Sequence, residues 1–228
     1  MWWFGALHAN LLACRQKAGG PSGRVLDAGC GTGGFLAKLT AADRETDVSG
    51  LDADEFACAC ARIKSGAQVC VGSVNALPFA DAAFAAIFSA DVLCHDGVDE
   101  AEALVEFHRC LMSGGVLVLN LPAYGWMLSR HDLAVYNVRR YTCGGIAALL
   151  RASGFRVCST TYWNTLLFPI MVVTRKLLPG GDGSSDVKLY PAPVEALCRG
   201  ATRLERLFLA CGLRLPFGGS LIAVARKE

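Results

Sequence analysis

Apolar residues fall along this chain in short runs separated by longer amphipathic stretches, and that alternation predicts its elements. The runs "RVLDA" (24–28), "DVSGLDA" with its strand ending at Asp52, "AQVCVG" (67–72), "AFAAIFSA" (83–90), "VLVLNL" (116–121), "FRVCSTTYW" (155–163) and "GSLIAVAR" (219–226) read as seven strands. "AFAAIFSA" is almost wholly apolar, as expected of a central strand covered on both faces. Helical spacing predicts helices over 2–18, 33–41, 54–65, 99–112, 143–152 and 194–211. Gly114-Gly115 reads as a helix stop and Thr142 as a helix cap. Residues 123–142 read as irregular or partly helical, and 179–193 as a mobile loop rich in glycine and proline. Strands alternating with helices of this length imply a parallel sheet with right-handed crossovers, an α/β fold.

The 228 residues fit a single domain: a helical cap over 1–20, the segment 123–142 roofing a substrate site, and an insertion over 162–211 before the last strand. With 53% hydrophobic residues, the chain calls for a membrane check. Its longest apolar run, "YWNTLLFPIMVVT" (162–174), is interrupted by Pro169 and falls short of the roughly 20 residues a spanning helix needs. Arg175 and Lys176 follow it, so the expectation is a surface-lying element over 162–178 serving a greasy substrate or a peripheral membrane contact. The first residues, "MWWFGALHANLLACR", lack the basic start of a secretion signal, and a cytoplasmic location is expected. A net charge of +2 without a basic stripe argues against a nucleic-acid partner. Eleven scattered cysteines with no C-x-x-C pattern read as small hydrophobes, not as metal ligands.

Chemistry concentrates first in "VLDAGCGTGG" (25–34), where a strand turns into a helix through glycines. Gly29, Gly31 and Gly34 fit G-x-G-x-x-G, a dinucleotide pattern; Asp27, Gly29, Gly31 and Gly33 fit D-x-G-x-G-x-G equally well. In an open α/β sheet this turn lies at the ligand-binding edge under either pattern. A carboxylate at Asp27 disfavours a pyrophosphate and suits a ligand bearing an ammonium group. Asp52 suits a ribose diol in both cases. A nicotinamide-dependent oxidoreductase is therefore the disfavoured alternative, and a non-catalytic binding protein is the other.

The stretch "GSVNALPFADAAFAAIFSADVLCH" (72–95), in order after the glycine turn and Asp52, resembles the class I S-adenosylmethionine-dependent methyltransferases. The resemblance implies a Rossmann-like, doubly wound seven-stranded sheet, mostly parallel with an antiparallel last strand and helices on both faces. It also implies S-adenosylmethionine as cofactor and S-adenosylhomocysteine as product. Asp27, Gly29, Cys30, Gly31, Gly33, Asp52, Ala53, Ser73, Val74 and Ser89 would then form the cofactor site, with Asp52 on the ribose and Ala53 against the adenine. Ser73 stands where many relatives carry an acid to the adenine amine; its hydroxyl can accept that bond without charge. The "WWF" start and the "SRHD…RRYT" frame are similar to a bacterial branch associated with cell-envelope genes. The N-terminal aromatics would fold over the cofactor or simply pack on the core.

The acceptor would meet residues 123–142, dense in aromatic and ionisable groups. Tyr124, Trp126, Tyr136, Arg139, Arg140 and Tyr141 are the candidate substrate contacts, the two arginines either gripping an anion or pairing with acids such as Asp132. His95, just after the fourth strand, and His131 are the candidate bases, with a His131–Asp132 hydrogen bond as the structural alternative for the second. Methyl transfer to an O, N or C atom of a small-molecule or lipid-linked acceptor is the expected activity.

Overall fold

In the computed structural model, residues 1–42, 46–177 and 190–228 are described, the His131 and Leu177 side chains excepted. Seven strands form one sheet: β1 (Val25–Ala28), β2 (Val48–Asp52), β3 (Gln68–Val71), β4 (Phe84–Ala90), β5 (Leu111–Pro122), β6 (Phe155–Trp163) and β7 (Ser220–Lys227). Their order is β3-β2-β1-β4-β5-β7-β6. Pairs among β1 to β5 are parallel, while β7 runs antiparallel to both of its neighbours, β5 and β6. This is the Rossmann-like, doubly wound sheet with an antiparallel last strand. The chain moves outward from β1 to β3, then returns to place β4 on the other side of β1. Strand order reverses there, which opens a crevice beyond the C-terminal ends of β1, β2 and β4.

The helices are α1 (Trp2–Ala18), α2 (Leu36–Ala42), α3 (Glu55–Ser65), α4 (Glu100–Cys110), α5 (Arg130–Ala134), α6 (Cys143–Ala152), α7 (Phe168–Val172), running on as a π turn over Val173–Leu177, and α8 (Ala192–Ala210). The period of two along each strand sends alternate residues to opposite cores. Leu26, Ile87, Leu117 and Leu119 pack with Leu104, Phe107, Ile146 and Leu150 of α4 and α6. Val25, Phe88, Val116 and Val118 pack with Leu7 and Leu11 of α1, Leu36 of α2 and Trp163. Asp54, Asp99 and Thr142 cap α3, α4 and α6, each side chain accepting backbone N–H groups of the first turn.

Two boundaries differ from the sequence expectation, both at glycines. Helix α2 begins at Leu36 instead of residue 33, because Gly33 sits at φ 78, outside helical space. Gly114-Gly115 lies inside β5 and not at a helix stop. Helix α4 already ends at Cys110, Leu111 pairs with Phe84, and the register shifts before Ala86 pairs with Val116. A Cβ at Gly115 would meet the Met112 carbonyl oxygen at 2.7 Å, so the strand passes this irregularity only as glycine. The expected 123–142 segment holds a 3₁₀ turn (Gly125–Met127) and α5. Most of the expected loop over 179–193 lies outside the described residues. No helix among the described residues is long and apolar enough to cross a membrane.

Candidate functional site

The turn after β1 alternates three glycines in left-handed conformation, Gly29 (φ 86), Gly31 (φ 50) and Gly33 (φ 78), two needed for packing and one for access. A Cβ on Gly29 would come within 2.1 Å of Val92 Cγ2, and one on Gly33 within 2.6 Å of Ala61 Cα. These two glycines let the turn seat against its neighbours. A Cβ on Gly31 would meet nothing within 4 Å, so its open face lies toward the crevice. The Leu51 carbonyl accepts from the Gly29 and Cys30 N–H groups at 2.7 and 2.9 Å. Asp52 closes the clamp: its Oδ2 accepts the Gly31 N–H at 2.8 Å and its Oδ1 the Asp54 N–H at 3.0 Å. Both carboxylate oxygens keep lone pairs to offer a ligand.

A cavity of about 330 Å³ opens at this edge, lined by Gly29, Gly31, Asp52, Ala53, Ser73 and Val74 on one side and by Asp91, Val92 and His95 on the other. Six of the ten expected cofactor residues thus converge on one space. Asp27 lies buried below it at 2% exposure, its Oδ2 without a hydrogen-bond partner. Burial and the neighbouring Asp52 push this carboxyl up to about 7. Cys30, Gly33 and Ser89 do not line the cavity. Cys30 packs in the core beside Leu36 and Val69, and Ser89 is buried within β4 with an unpartnered hydroxyl.

Asp91 is the residue the sequence reading missed. It follows β4 with φ 57 and lines the cavity, and burial raises its carboxyl to about 7. Asn120 Nδ2 donates to Asp91 Oδ1 at 3.0 Å, and Trp163 Nε1 donates to Asn120 Oδ1 at 2.8 Å, which fixes the amide's orientation. The available signal was positional: Asp27, Asp52 and Asp91 stand at or just beyond the C-terminal ends of the three strands that border the crevice. His95 sits on the same lip, and burial lowers the pKa of its imidazole, favouring the neutral form near pH 7.

Segment 123–142 packs on this lip. The Asp96 N–H donates to the Tyr136 carbonyl at 2.9 Å and the Val138 N–H to the Cys94 carbonyl at 2.9 Å. Of the two roles open to the arginine pair, Arg140 takes the pairing with an acid: its side chain is 3% exposed and bonds Asp132 at 2.8 Å. Arg139 donates to the Val98 carbonyl at 2.8 Å and lies 3.7 Å from Glu100. The Tyr141 hydroxyl sits 2.8 Å from the Leu93 carbonyl oxygen and 2.6 Å from a Glu100 oxygen. Arg139 and Tyr141 staple the segment to the lip, whereas Arg140 ties the segment to itself through Asp132 and the Ala123 carbonyl. Asp132 is engaged by Arg140 and by Ser129, while the His131 side chain lies outside what the structure describes. Tyr136 is 74% exposed. Tyr124 and Trp126 instead join an aromatic cluster, with Tyr124 stacked on Tyr162 at 5.0 Å and Phe168 within 5.6 Å of Tyr124 and 6.1 Å of Trp126.

A family profile described as "Methyltransferase domain" matches residues 26–119, the span from β1 through β5 that builds the cavity. Over this span the chain is similar to methyltransferase domains. The rice (Oryza sativa subsp. japonica) protein 24-methylenesterol C-methyltransferase 2 is 31% identical over 135 residues, 53% of this chain and 36% of that protein. The chain therefore spans about a third of the length of that curated relative. Among solved structures, geranyl diphosphate C-methyltransferase from Streptomyces coelicolor A3(2), in complex with Mg²⁺, geranyl diphosphate and S-adenosyl-L-homocysteine, gives a TM-score of 0.62 at 15% identity over 96% of this chain and 77% of that one. A TehB-like S-adenosylmethionine-dependent methyltransferase from Corynebacterium glutamicum gives 0.55 at 19% identity over 97% and 87%. The [4+2]-cyclase SpnF gives 0.62 at 20% identity over 97% and 80%. At these identities the three structures bear on the fold. The matched span supplies the cavity, and the aromatic cluster of Tyr124, Trp126, Tyr162, Phe168 and Phe217 lies beyond it in sequence.

Proposed function

We propose that this chain transfers a methyl group from S-adenosylmethionine to an O, N or C atom of a small, largely apolar acceptor, free or lipid-linked. The observation that carries the reading is Asp27: a buried carboxyl with an unpartnered oxygen beneath the glycine turn is a group that a ligand's ammonium would satisfy. Asp52 accepts from the two ribose hydroxyls with the lone pairs left after its backbone bonds. Leu51, Ala53 and Val74 give apolar walls for the adenine. The Ser73 hydroxyl, which already accepts the Asn75 N–H at 3.1 Å, can take one more bond from its amine. Gly31 presents bare backbone where the ligand lies closest.

When bound, the cofactor supplies an activated methyl on a sulfonium, so the chain's own task is to align the acceptor, keep water out and take a proton where one is released. His95 in its neutral form and Asp91 are the proton acceptors on the lip. Tyr124, Trp126 and Phe168 offer ring faces to the acceptor's apolar part. Arg140, committed to Asp132, does not offer its guanidinium to an anionic acceptor. A lipid-linked acceptor implies a protein that works in the cytoplasm, in peripheral contact with a membrane.

The test is incubation with methyl-deuterated S-adenosylmethionine and a panel of sterols and isoprenyl diphosphates, read by mass spectrometry. A deuteromethyl product that vanishes in Asp52→Ala is the expected result. A chain that binds S-adenosylhomocysteine yet methylates nothing and rearranges an added acceptor would put it with non-transferring uses of this fold.

A further inference from the structure

Helix α8 is amphipathic in the reverse of the usual sense. Its buried positions are Glu195, Thr202 and Glu205, while Val194, Leu197, Leu204, Leu207 and Phe208 are exposed, Leu197 at 69% and Leu207 at 63%. The inward acids have local work. Glu195 Oε2 accepts the Trp2 N–H at 2.9 Å, and the two Glu205 oxygens accept the Asn164 and Leu166 N–H groups at 2.7 and 2.6 Å. At 100° per residue the exposed apolar side chains fall on one arc, and Arg199, Arg203 and Arg206 fall together on the arc beside it. Because both acids of the helix are turned inward, its outer surface carries only positive charge.

We propose that this outer face of α8 lies in the plane of an anionic lipid bilayer, with the leucines and Phe208 at the acyl boundary and the arginines among the headgroups. Charge complementarity chooses this occupant: an exposed leucine arc flanked by arginines with no exposed acid on the helix matches an anionic interface. The geometry also joins this surface to the acceptor side. Glu205 holds the start of the segment leading into α7, where Leu166, Ile170 and Val173 are exposed, and Phe168 of that helix meets Tyr124 at a tilt and Trp126 edge-on. The inference deepens the lipid-linked reading above, but bilayer binding is measurable with no acceptor and no methyl transfer.

The test is flotation of the whole protein at low salt with vesicles of phosphatidylcholine plus phosphatidylglycerol, and with phosphatidylcholine alone. The wild-type chain should float with the anionic vesicles and be released by salt. Arg199→Ala/Arg203→Ala/Arg206→Ala should weaken binding roughly a hundredfold, from about fivefold per arginine. Leu197→Ser/Leu207→Ser should reduce it at least as strongly, and both variants should keep wild-type affinity for S-adenosylhomocysteine by calorimetry, since neither touches the cavity. A wild-type chain that stays at the bottom of the gradient overturns the inference, as does flotation indifferent to both variants. A leucine variant that turns a dimer into a monomer in light scattering, with unchanged flotation, gives the face to a second copy and also overturns it. Loss of S-adenosylhomocysteine binding in the wild type would count against the methyltransferase reading alone, whatever the flotation shows.

Discussion

Asp27, Gly29, Gly31 and Asp52 stand within one turn and one strand end, yet substitutions at them should act through different physics. Gly29→Ala drives a methyl into Val92 at a left-handed φ, and should cost roughly 2–4 kcal/mol of stability in urea denaturation. Gly31→Ala adds its methyl to open space, so it should lose only about 1 kcal/mol of stability while cofactor affinity falls. Asp52→Ala removes charge-assisted bonds worth about 1.5–3 kcal/mol and should weaken S-adenosylhomocysteine roughly 10- to 150-fold in calorimetry. Asp27, raised to about 7 in the folded chain, is substantially protonated at neutral pH. Its contribution to apo stability is therefore full below about pH 4 and lost as pH rises through 7. An ammonium beside it favours the anion, so binding should release protons near pH 6–7 and tighten as pH rises to that point. Calorimetry in buffers of different ionisation enthalpy reads this directly, and Asp27→Asn should abolish it. The D-x-G-x-G-x-G spacing made this turn legible as a ligand cradle. It could not tell a glycine needed for packing from one needed for access, because that depends on Val92 and Ala61, which approach from distant sequence.

At the scale of elements, the segment after β5 shows what a charge pattern leaves open. Two adjacent arginines beside tyrosines read equally as an anion grip or as partners of acids such as Asp132, and the carbonyls of Leu93, Val98 and Ala123 and the carboxylate of Asp132 claim them. Arg140→Ala strands Asp132, which is 0% exposed, and should cost about 3–5 kcal/mol. Arg139→Ala, at a partly exposed pair, should cost about 1 kcal/mol and leave cofactor affinity within about threefold. Chemical denaturation of the two variants side by side gives the contrast. The strands were legible because their buried runs are nearly all apolar. Glycine boundaries were not, since Gly114-Gly115 has the same spelling at a helix stop and in an irregular strand. The inward acids of α8 were invisible too, because nothing local says that Glu195 and Glu205 would find backbone N–H groups 193 and 41 residues away.

Over the whole molecule, strand order has a consequence in time. The first five strands are neighbours of strands already made, so a growing chain can assemble β1 to β5 as it emerges. Strand β6 cannot join them, because its only sheet partner among the described residues, β7, is made last of the seven and lies between it and β5. Until that strand arrives, Trp163 has no closed core around it, and two ladder edges face solvent across a gap one strand wide. Such edges are templates for other chains. Synthesis of this protein should thus pass through an interval, lasting from about residue 163 to residue 227, in which it depends on chaperones. A nascent chain halted before residue 220 should be cleaved by protease within 155–177 yet resist cleavage in β1 to β4, and should become resistant throughout β6 once β7 has left the ribosome.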